Sequence, residues 1–264
     1  MTRRIKRTRD YELTVEIKSD NFIHPPRESQ RNWLLNRAIK EAAADLEHLN
    51  AIAKDFVPGV DAKGDLNERA IRELSDLEIM EDWQDPIMAK MATFVTADGG
   101  DVLEIGFGRG IGSSHIQNGQ PKSHTIIECN ESVIARFKHW QTQYPDRAIR
   151  LVPGMWEDVI DQLGEFDGIF FHTYPLSETD VIEKVVQSVT FAEHFFVVAA
   201  KHLRRGGVFT YLTNEIDSLS RAHQRSLLNH FSAFETSLIK GLEVPQDTTD
   251  AMWSDSMILI KAIK

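Results

Sequence analysis

Cysteine is nearly absent from this 264-residue sequence: Cys129 stands alone, so the chain can form no internal disulfide and no thiolate metal cluster. A reducing, cytoplasmic setting is the expectation. Long apolar runs are missing too. None approaches the roughly 20 residues that cross a bilayer, and the basic opening Met-Thr-Arg-Arg-Ile-Lys-Arg-Thr-Arg lacks the apolar core of a secretion signal. No membrane partner is expected, and those first nine residues read as a solvated, poorly ordered tail. Positive charge is in deficit, with 30 Lys and Arg against 40 Asp and Glu, a formal net charge of −10 that repels a phosphate backbone. Nucleic acid is therefore not an expected partner. Ten histidines are present, yet no His-Glu-x-x-His or Cys/His spacing occurs, so no metal is expected. No Gly-x-Ser-x-Gly elbow and no Gly-Lys-Ser or Gly-Lys-Thr loop appears either.

What is there is ample core material, 42% hydrophobic residues, in two halves of different rhythm. Over residues 32–56 the apolar positions from Trp33 to Leu49 recur at helical spacing, the mark of a long amphipathic helix. Pro58-Gly59 breaks it. A second helical pattern runs through Leu66, Ala70, Ile71, Leu74 and Leu77 with Asp65 as its cap, and a third spans 85–95 with Pro86 in its first turn. Residues 1–98 thus read as a helical extension, either a lid or the interface of a homodimer, and 99–264 as a second domain. In that domain strands are expected over 101–105, 125–128, 149–152, 166–171, 207–213, 234–239 and 257–263. Helices are expected over 110–117, 130–143, 156–163, 180–202 and 217–231. Such alternation implies right-handed crossovers and a mostly parallel, seven-stranded α/β sheet of Rossmann-like form with helices on both faces. The short link between the last two strands makes one of them antiparallel.

The most informative stretch is Asp101-Val-Leu-Glu-Ile-Gly-Phe-Gly-Arg-Gly-Ile-Gly112. Gly106, Gly108 and Gly110 suit a tight strand-to-helix turn whose backbone approaches a ligand. The pattern is Gly-x-Gly-x-Gly, without the third glycine spacing of a dinucleotide site, where Ile111 stands instead. Glu104, just ahead of the turn, would repel a pyrophosphate and favour a cationic amino group or sulfonium. Glu128 ends the next expected strand, 22 residues beyond Gly106, where a carboxylate accepts both hydroxyls of an adenosine ribose. S-adenosyl-L-methionine is the expected cofactor, with S-adenosyl-L-homocysteine as product.

The segments Val102-Leu-Glu-Ile-Gly-Phe-Gly-Arg-Gly-Ile, Ile126-Ile-Glu-Cys-Asn130, Gly154-Met-Trp-Glu-Asp158, Phe166-Asp-Gly-Ile169, Thr173-Tyr-Pro-Leu-Ser-Glu178 and Gly206-Gly-Val-Phe-Thr-Tyr211 resemble guanidinoacetate N-methyltransferase. More distantly they resemble the catalytic part of fungal arginine delta-N-methyltransferases. The resemblance covers about residues 80–211 and implies a class I methyltransferase sheet with a reversed last hairpin. It places Glu104 and Gly106 beside the methionine part of the cofactor and Glu128 with its neighbour Cys129 at the ribose. Met155 and Trp156 then flank the adenine, and Met88 matches a segment near the cofactor.

The family it resembles grips a guanidinium with two carboxylates, and this sequence has Gln84 and His172 at the matching positions. Neither is negative at pH 7, and a guanidinium, with a pKa above ~12, loses its paired hydrogen bonds there. His172, at an ordinary imidazole pKa of ~6.5, is expected to act as a general base or hydrogen-bond acceptor, and also borders the cofactor. Asp85 or Glu215 offers a substitute carboxylate, and Tyr174 walls the pocket. The leading expectation is a methyltransferase acting on a small molecule, at nitrogen, with a neutral or weakly basic acceptor such as a nitrogen heterocycle. The alternatives are a guanidino or arginine N-methyltransferase, a small-molecule O-methyltransferase, and a catalytically inactive cofactor-binding partner.

Overall fold

A computed structural model describes residues 2–6, 12–16, 70–71, 73–177, 180–186, 188–213, 215, 218–245 and 255–264. The expected helix over 32–56, the Pro58-Gly59 break and the Asp65 cap lie outside the described residues. The chain divides into two compact units, Met1–Ala62 and Lys63–Lys264. In the first, β1 (Thr2–Lys6) and β2 (Glu12–Glu16) pair antiparallel, with Ile5 opposite Leu13 and Arg3 opposite Val15. Of the nine residues expected to be poorly ordered, 2–6 thus form one strand of a pair, and Ile5, Leu13, Thr14 and Val15 are strand formers.

In the second unit a seven-stranded sheet has the order β5-β4-β3-β6-β7-β9-β8. Its strands are β3 (Asp101–Ile105), β4 (Ser123–Glu128), β5 (Ile149–Pro153), β6 (Phe166–Phe171), β7 (Leu203–Leu212), β8 (Ala233–Lys240) and β9 (Ser256–Ile263). The first five run parallel, and β9 is wedged antiparallel between β7 and β8. This is the Rossmann-like architecture expected, and the strand bounds read from the sequence are met to within a few residues.

Period-two alternation along these strands builds two cores. Val102, Ile126, Phe170, Val208 and Leu259 face one side and meet Met88, Met91, Ile116, Phe137 and Trp140. Leu103, Ile127, Ile169, Phe171, Phe209 and Ile258 face the other and meet Ile160, Phe195, Phe196, Ala199 and Leu227. The covering helices are α1 (Asp76–Ile79), α2 (Asp85–Thr96), α3 (Ile111–Asn118), α4 (Glu131–Gln141), α5 (Trp156–Val159), α6 (Phe196–His202) and α7 (Arg221–His230). Pro86 opens α2 as expected, and α2 packs on α3 and β6, so this part of the extension belongs to the sheet-bearing unit.

Two helical expectations are corrected. Residues 73–75 are not helical, and among the described residues of this stretch regular helix is confined to α1. The Leu74 backbone is claimed by side chains instead, its carbonyl by Arg136 at 2.9 Å and its N–H by the Ser132 hydroxyl at 3.4 Å. The single helix expected over 180–202 is three pieces: a π-helical segment Val181–Val186, a 3-10 turn Phe191–Phe195, and α6. Thr190 between them is extended, at φ −154° and ψ 152°, and the Glu193 carboxylate accepts the Val189 N–H at 2.9 Å. The β-branched run Val181, Ile182, Val185, Val186, Val189 and Thr190 disfavours a continuous helix.

Gly168 lets α2 lie close against β6: a Cβ there would stand 2.5 Å from the Val95 carbonyl oxygen. Gly168→Ala is expected to destabilise the fold by roughly 1–3 kcal/mol through overpacking, read as a lowered thermal midpoint.

Candidate active site

Ligands of open α/β sheets bind at the carboxyl edge of the parallel strands, and a cleft lies there in this protein. Its empty volume, open mouth included, is about 1060 Å³, enough for a nucleoside-sized ligand. The strand order fixes the sequence of groups along it. Met155 and Trp156 follow β5, Glu128 and Cys129 end and follow β4, Gly106 and Gly108 follow β3, and His172, Thr173 and Tyr174 follow β6, all of them lining the cleft.

Gly106 has φ +87° and its N–H donates to the Ile127 carbonyl at 2.9 Å, while a Cβ on it would lie 2.6 Å from the His172 carbonyl oxygen. No other residue fits there, and the His172 N–H reaches the Ile105 carbonyl at 3.2 Å. Glu128, itself buried, gathers the neighbouring backbone. Its Oε2 accepts the Phe107 N–H at 3.0 Å, and its Oε1 accepts the N–H groups of Cys129 and Asn130 at 2.8 and 2.9 Å. Asn130 in turn caps α4, accepting from the Ser132 and Val133 N–H groups. Glu104 is 1% exposed and accepts the Ser113 hydroxyl proton. The His124 Nε2 lies 3.0 Å from Glu104 Oε2, off the line of a hydrogen bond. Because the Gln117 amide nitrogen sits 3.0 Å from His124 Nδ1 and must donate, the imidazole proton is on Nε2, facing Glu104. Met88, 1% exposed, completes this end.

Burial sets the proton chemistry. His172 is lowered to about 4 by desolvation, so its imidazole is neutral at pH 7 but a far weaker base than the ordinary ~6.5 expected from sequence. Burial, with Glu128 alongside, pushes the Cys129 thiol up to about 11, which leaves it unreactive. Burial likewise raises the Glu157 carboxyl. Lys184, also on the cleft wall, lies 2.6 Å from Asp180 and 4.0 Å from Glu157.

Four expected site residues do not line the cleft. Gly110, at φ +79°, shapes the entry to α3. Gln84 is 3% exposed, its Oε1 without a hydrogen-bond partner among the described residues. Asp85 is exposed and taken by His115 Nε2 at 2.9 Å. Glu215 is drawn away by His223 Nδ1 at 2.8 Å and the Ser220 N–H at 2.9 Å, because His223 is buried on α7 and needs a partner. Neither carboxylate replaces the charge missing at 172.

Sequence reading missed the wall made by Leu74, Ile79 and Met80. Arg109, inside the glycine-rich turn, holds that wall through the Met80 carbonyl at 3.0 Å and the Asp82 carboxylate at 2.6 Å, and Arg136 holds it through Asp76. A positive charge at Arg109, between Gly108 and Gly110, was the signal available. Asp180, Lys184 and His194 were missed because they sit in the segment read as one continuous helix.

The family model of guanidinoacetate N-methyltransferase matches residues 60–242, more than half of the chain. The chain belongs to that family. "Protein arginine N-methyltransferase 2" of Yarrowia lipolytica is 26% identical over 196 residues, covering 68% of this chain and 39% of the relative. The protein of the same name from Eremothecium gossypii is 31% identical over 114 residues, covering 40% of this chain and 27% of the relative. The chain thus matches well under half the length of these relatives. Precorrin-6y C5,15-methyltransferase from Geobacter metallireducens shares the fold, with a TM-score of 0.52 at 15% identity over 78% of this chain and 97% of the other.

As a member of this family, the Lys63–Lys264 unit is a class I methyltransferase domain and its cofactor is S-adenosylmethionine. The cleft fits that group chemically: it offers carboxylates at 104 and 128, close glycine backbone between them, and an aromatic face at 156. Among the described residues no group of three or more His, Cys, Asp or Glu is placed to hold a metal, and no helix is long and apolar enough to cross a membrane.

The lowered histidines carry a pH signature. In the unfolded chain His172 and His194 take up protons near pH 6.5, whereas in the folded protein both wait until about 4. The unfolded state therefore binds more protons between these values, and stability falls as pH drops from 6.5 towards 4. The thermal midpoint is expected to decline across that window, and His172→Gln to flatten the decline; equal slopes for both proteins would contradict the buried neutral imidazole.

Proposed function

We propose that this protein transfers a methyl group from S-adenosylmethionine to nitrogen on a small molecule whose acceptor is neutral or weakly basic, such as a nitrogen heterocycle. The observation that carries the proposal is His172, a neutral imidazole on the cleft wall next to the glycine-rich turn, where the resemblance calls for a carboxylate. In this reading Glu104 faces the cofactor's cationic amino acid part, with Gly106, Gly108 and Met88 beside it. Gly110 shapes the turn, Glu128 and Cys129 border the ribose, and Met155 and Trp156 flank the adenine. When bound, the cofactor supplies an electrophilic methyl on a sulfonium.

The protein's task is then positioning and exclusion of water, which supply most of the rate in such transfers. His172 accepts a hydrogen bond from the acceptor's N–H and so aims the nitrogen lone pair. With its pKa near 4 it does not retain a proton at neutrality, so the proton lost from nitrogen passes on to water. Tyr174 bounds the acceptor, its ring 6.0 Å from that of His172.

The names of the fungal relatives favour a second reading, a guanidino acceptor. A guanidinium needs two free carboxylates, and those lining the cleft are engaged. Glu104 accepts the Ser113 hydroxyl, Glu128 accepts three backbone N–H groups, and Asp180 lies 2.6 Å from Lys184, with Glu157 4.0 Å from the same lysine.

The deciding assay incubates the protein with S-adenosylmethionine and separate acceptors: guanidinoacetate, arginine, an arginine peptide and a panel of nitrogen heterocycles, with products read by mass spectrometry. Methylation is expected only among the neutral or weakly basic acceptors. His172→Ala is expected to lose well over tenfold in turnover with cofactor affinity nearly unchanged. Rapid methylation of a guanidino acceptor, or full activity of the variant, would overturn the proposal.

A further inference from the structure

His194 lines the cleft near Trp156, and neither the resemblance nor the sequence gave it a role there. It stands on the 3-10 turn Phe191–Phe195, and its ring is clamped by aromatics, with centroids 5.8 Å from Trp156, 5.9 Å from Phe171 and 4.9 Å from Phe191. Its Nδ1 meets the Phe191 carbonyl oxygen. A carbonyl can only accept, so Nδ1 carries the proton and Nε2 presents a lone pair. Among the described residues nothing in the protein is hydrogen-bonded to Nε2. Burial lowers this imidazole to about 4, so the lone pair is available across the neutral range. The carboxyl group nearest in sequence to Trp156, that of Glu157, faces Lys184.

We propose that His194 is a specificity-determining residue of the cofactor site, whose Nε2 accepts a hydrogen bond from the exocyclic amine of the adenine. This rests on the reading that Trp156 flanks the adenine. A slot with an aromatic face and one fixed, partnerless acceptor at its side selects a ring that carries a donor on its edge. A 6-amino purine supplies that donor, whereas a 6-oxo purine would set a carbonyl oxygen against a nitrogen lone pair. Selection of this kind is strong because the wrong ring leaves the site's polar atom unpaired. Phe191 fixes the tautomer through its backbone, so the preference does not depend on the identity of its side chain.

The test is calorimetric titration of the full chain, with no methyl acceptor present, using S-adenosylhomocysteine and its analogue with hydrogen in place of the 6-amino group. On the unaltered protein the analogue is expected to bind at least tenfold more weakly. His194→Phe keeps an aromatic ring and is expected to weaken S-adenosylhomocysteine by a similar factor while leaving the analogue's affinity unchanged. His194→Gln, which restores a carbonyl acceptor, recovers most of the loss. Equal affinity of the unaltered protein for both ligands would overturn the proposal without recourse to any variant, as would additive losses for His194→Phe and the analogue. Unchanged binding by Trp156→Ala would remove the adenine reading on which the proposal stands. Because no methyl is transferred, these outcomes are independent of which acceptor the enzyme takes.

Discussion

The site depends on the carboxylate of Glu128. Three backbone N–H groups converge on it, one from the turn after β3 and two from the start of α4. Without it, Phe107 N–H would be a buried donor in need of a partner, and the glycine-rich turn would keep only the Gly106 N–H bond to the Ile127 carbonyl of the two described here. The same turn brings Gly106 against the His172 carbonyl, so the carboxylate indirectly sets the distance between the glycine-rich turn and the segment after β6. A residue that reads as a ligand contact is in equal measure the keystone of the loop that forms the pocket. Charge-assisted bonds to backbone N–H are strong enough for both tasks, since an ionised carboxylate retains acceptor capacity after three of them.

Around that centre the protein keeps its other charges occupied. Asp85, Glu215, Asp180 and Glu157 each have a cationic or imidazole neighbour, and the two histidines on the cleft wall are neutral. On the cleft itself, among the described residues, the carboxylates of Glu104, Glu128, Glu157 and Asp180 outnumber the one lysine, Lys184.

The strands and the glycine-rich turn were legible because their signals are local. Val102-Leu103-Glu104-Ile105 alternates between two cores, and Gly106, Gly108 and Gly110 all adopt positive φ. Glu104, Glu128, Trp156 and His172 could be placed on the cleft because each stands within three residues of the end of a strand, and parallel strands end at one edge. Asp85 and Glu215 were misjudged for the opposite reason: their fate was decided by His115 and His223, 30 and 8 residues away, through packing that no local pattern announces. The break at Thr190 was written in the β-branched run before it, but the apolar spacing of the same residues also fitted a helix. The Leu74–Met80 wall depends on Arg109 and Arg136, contacts 27 to 62 residues apart in the chain.

The order of strands across the sheet differs from the order of synthesis. β8 is bonded only to β9, and β9 reaches its place between β8 and β7 after every other strand has been made. Until then β7 presents an open edge, and β8 has no partner to hold it. On a ribosome the parallel half can assemble early, while the last strand acts as the bolt that joins two waiting pieces. Such late, non-local pairing slows folding and leaves strand edges available to other chains. The interval between β8 and β9 is therefore the period when this molecule is most exposed to aggregation, and a chaperone would have most to protect.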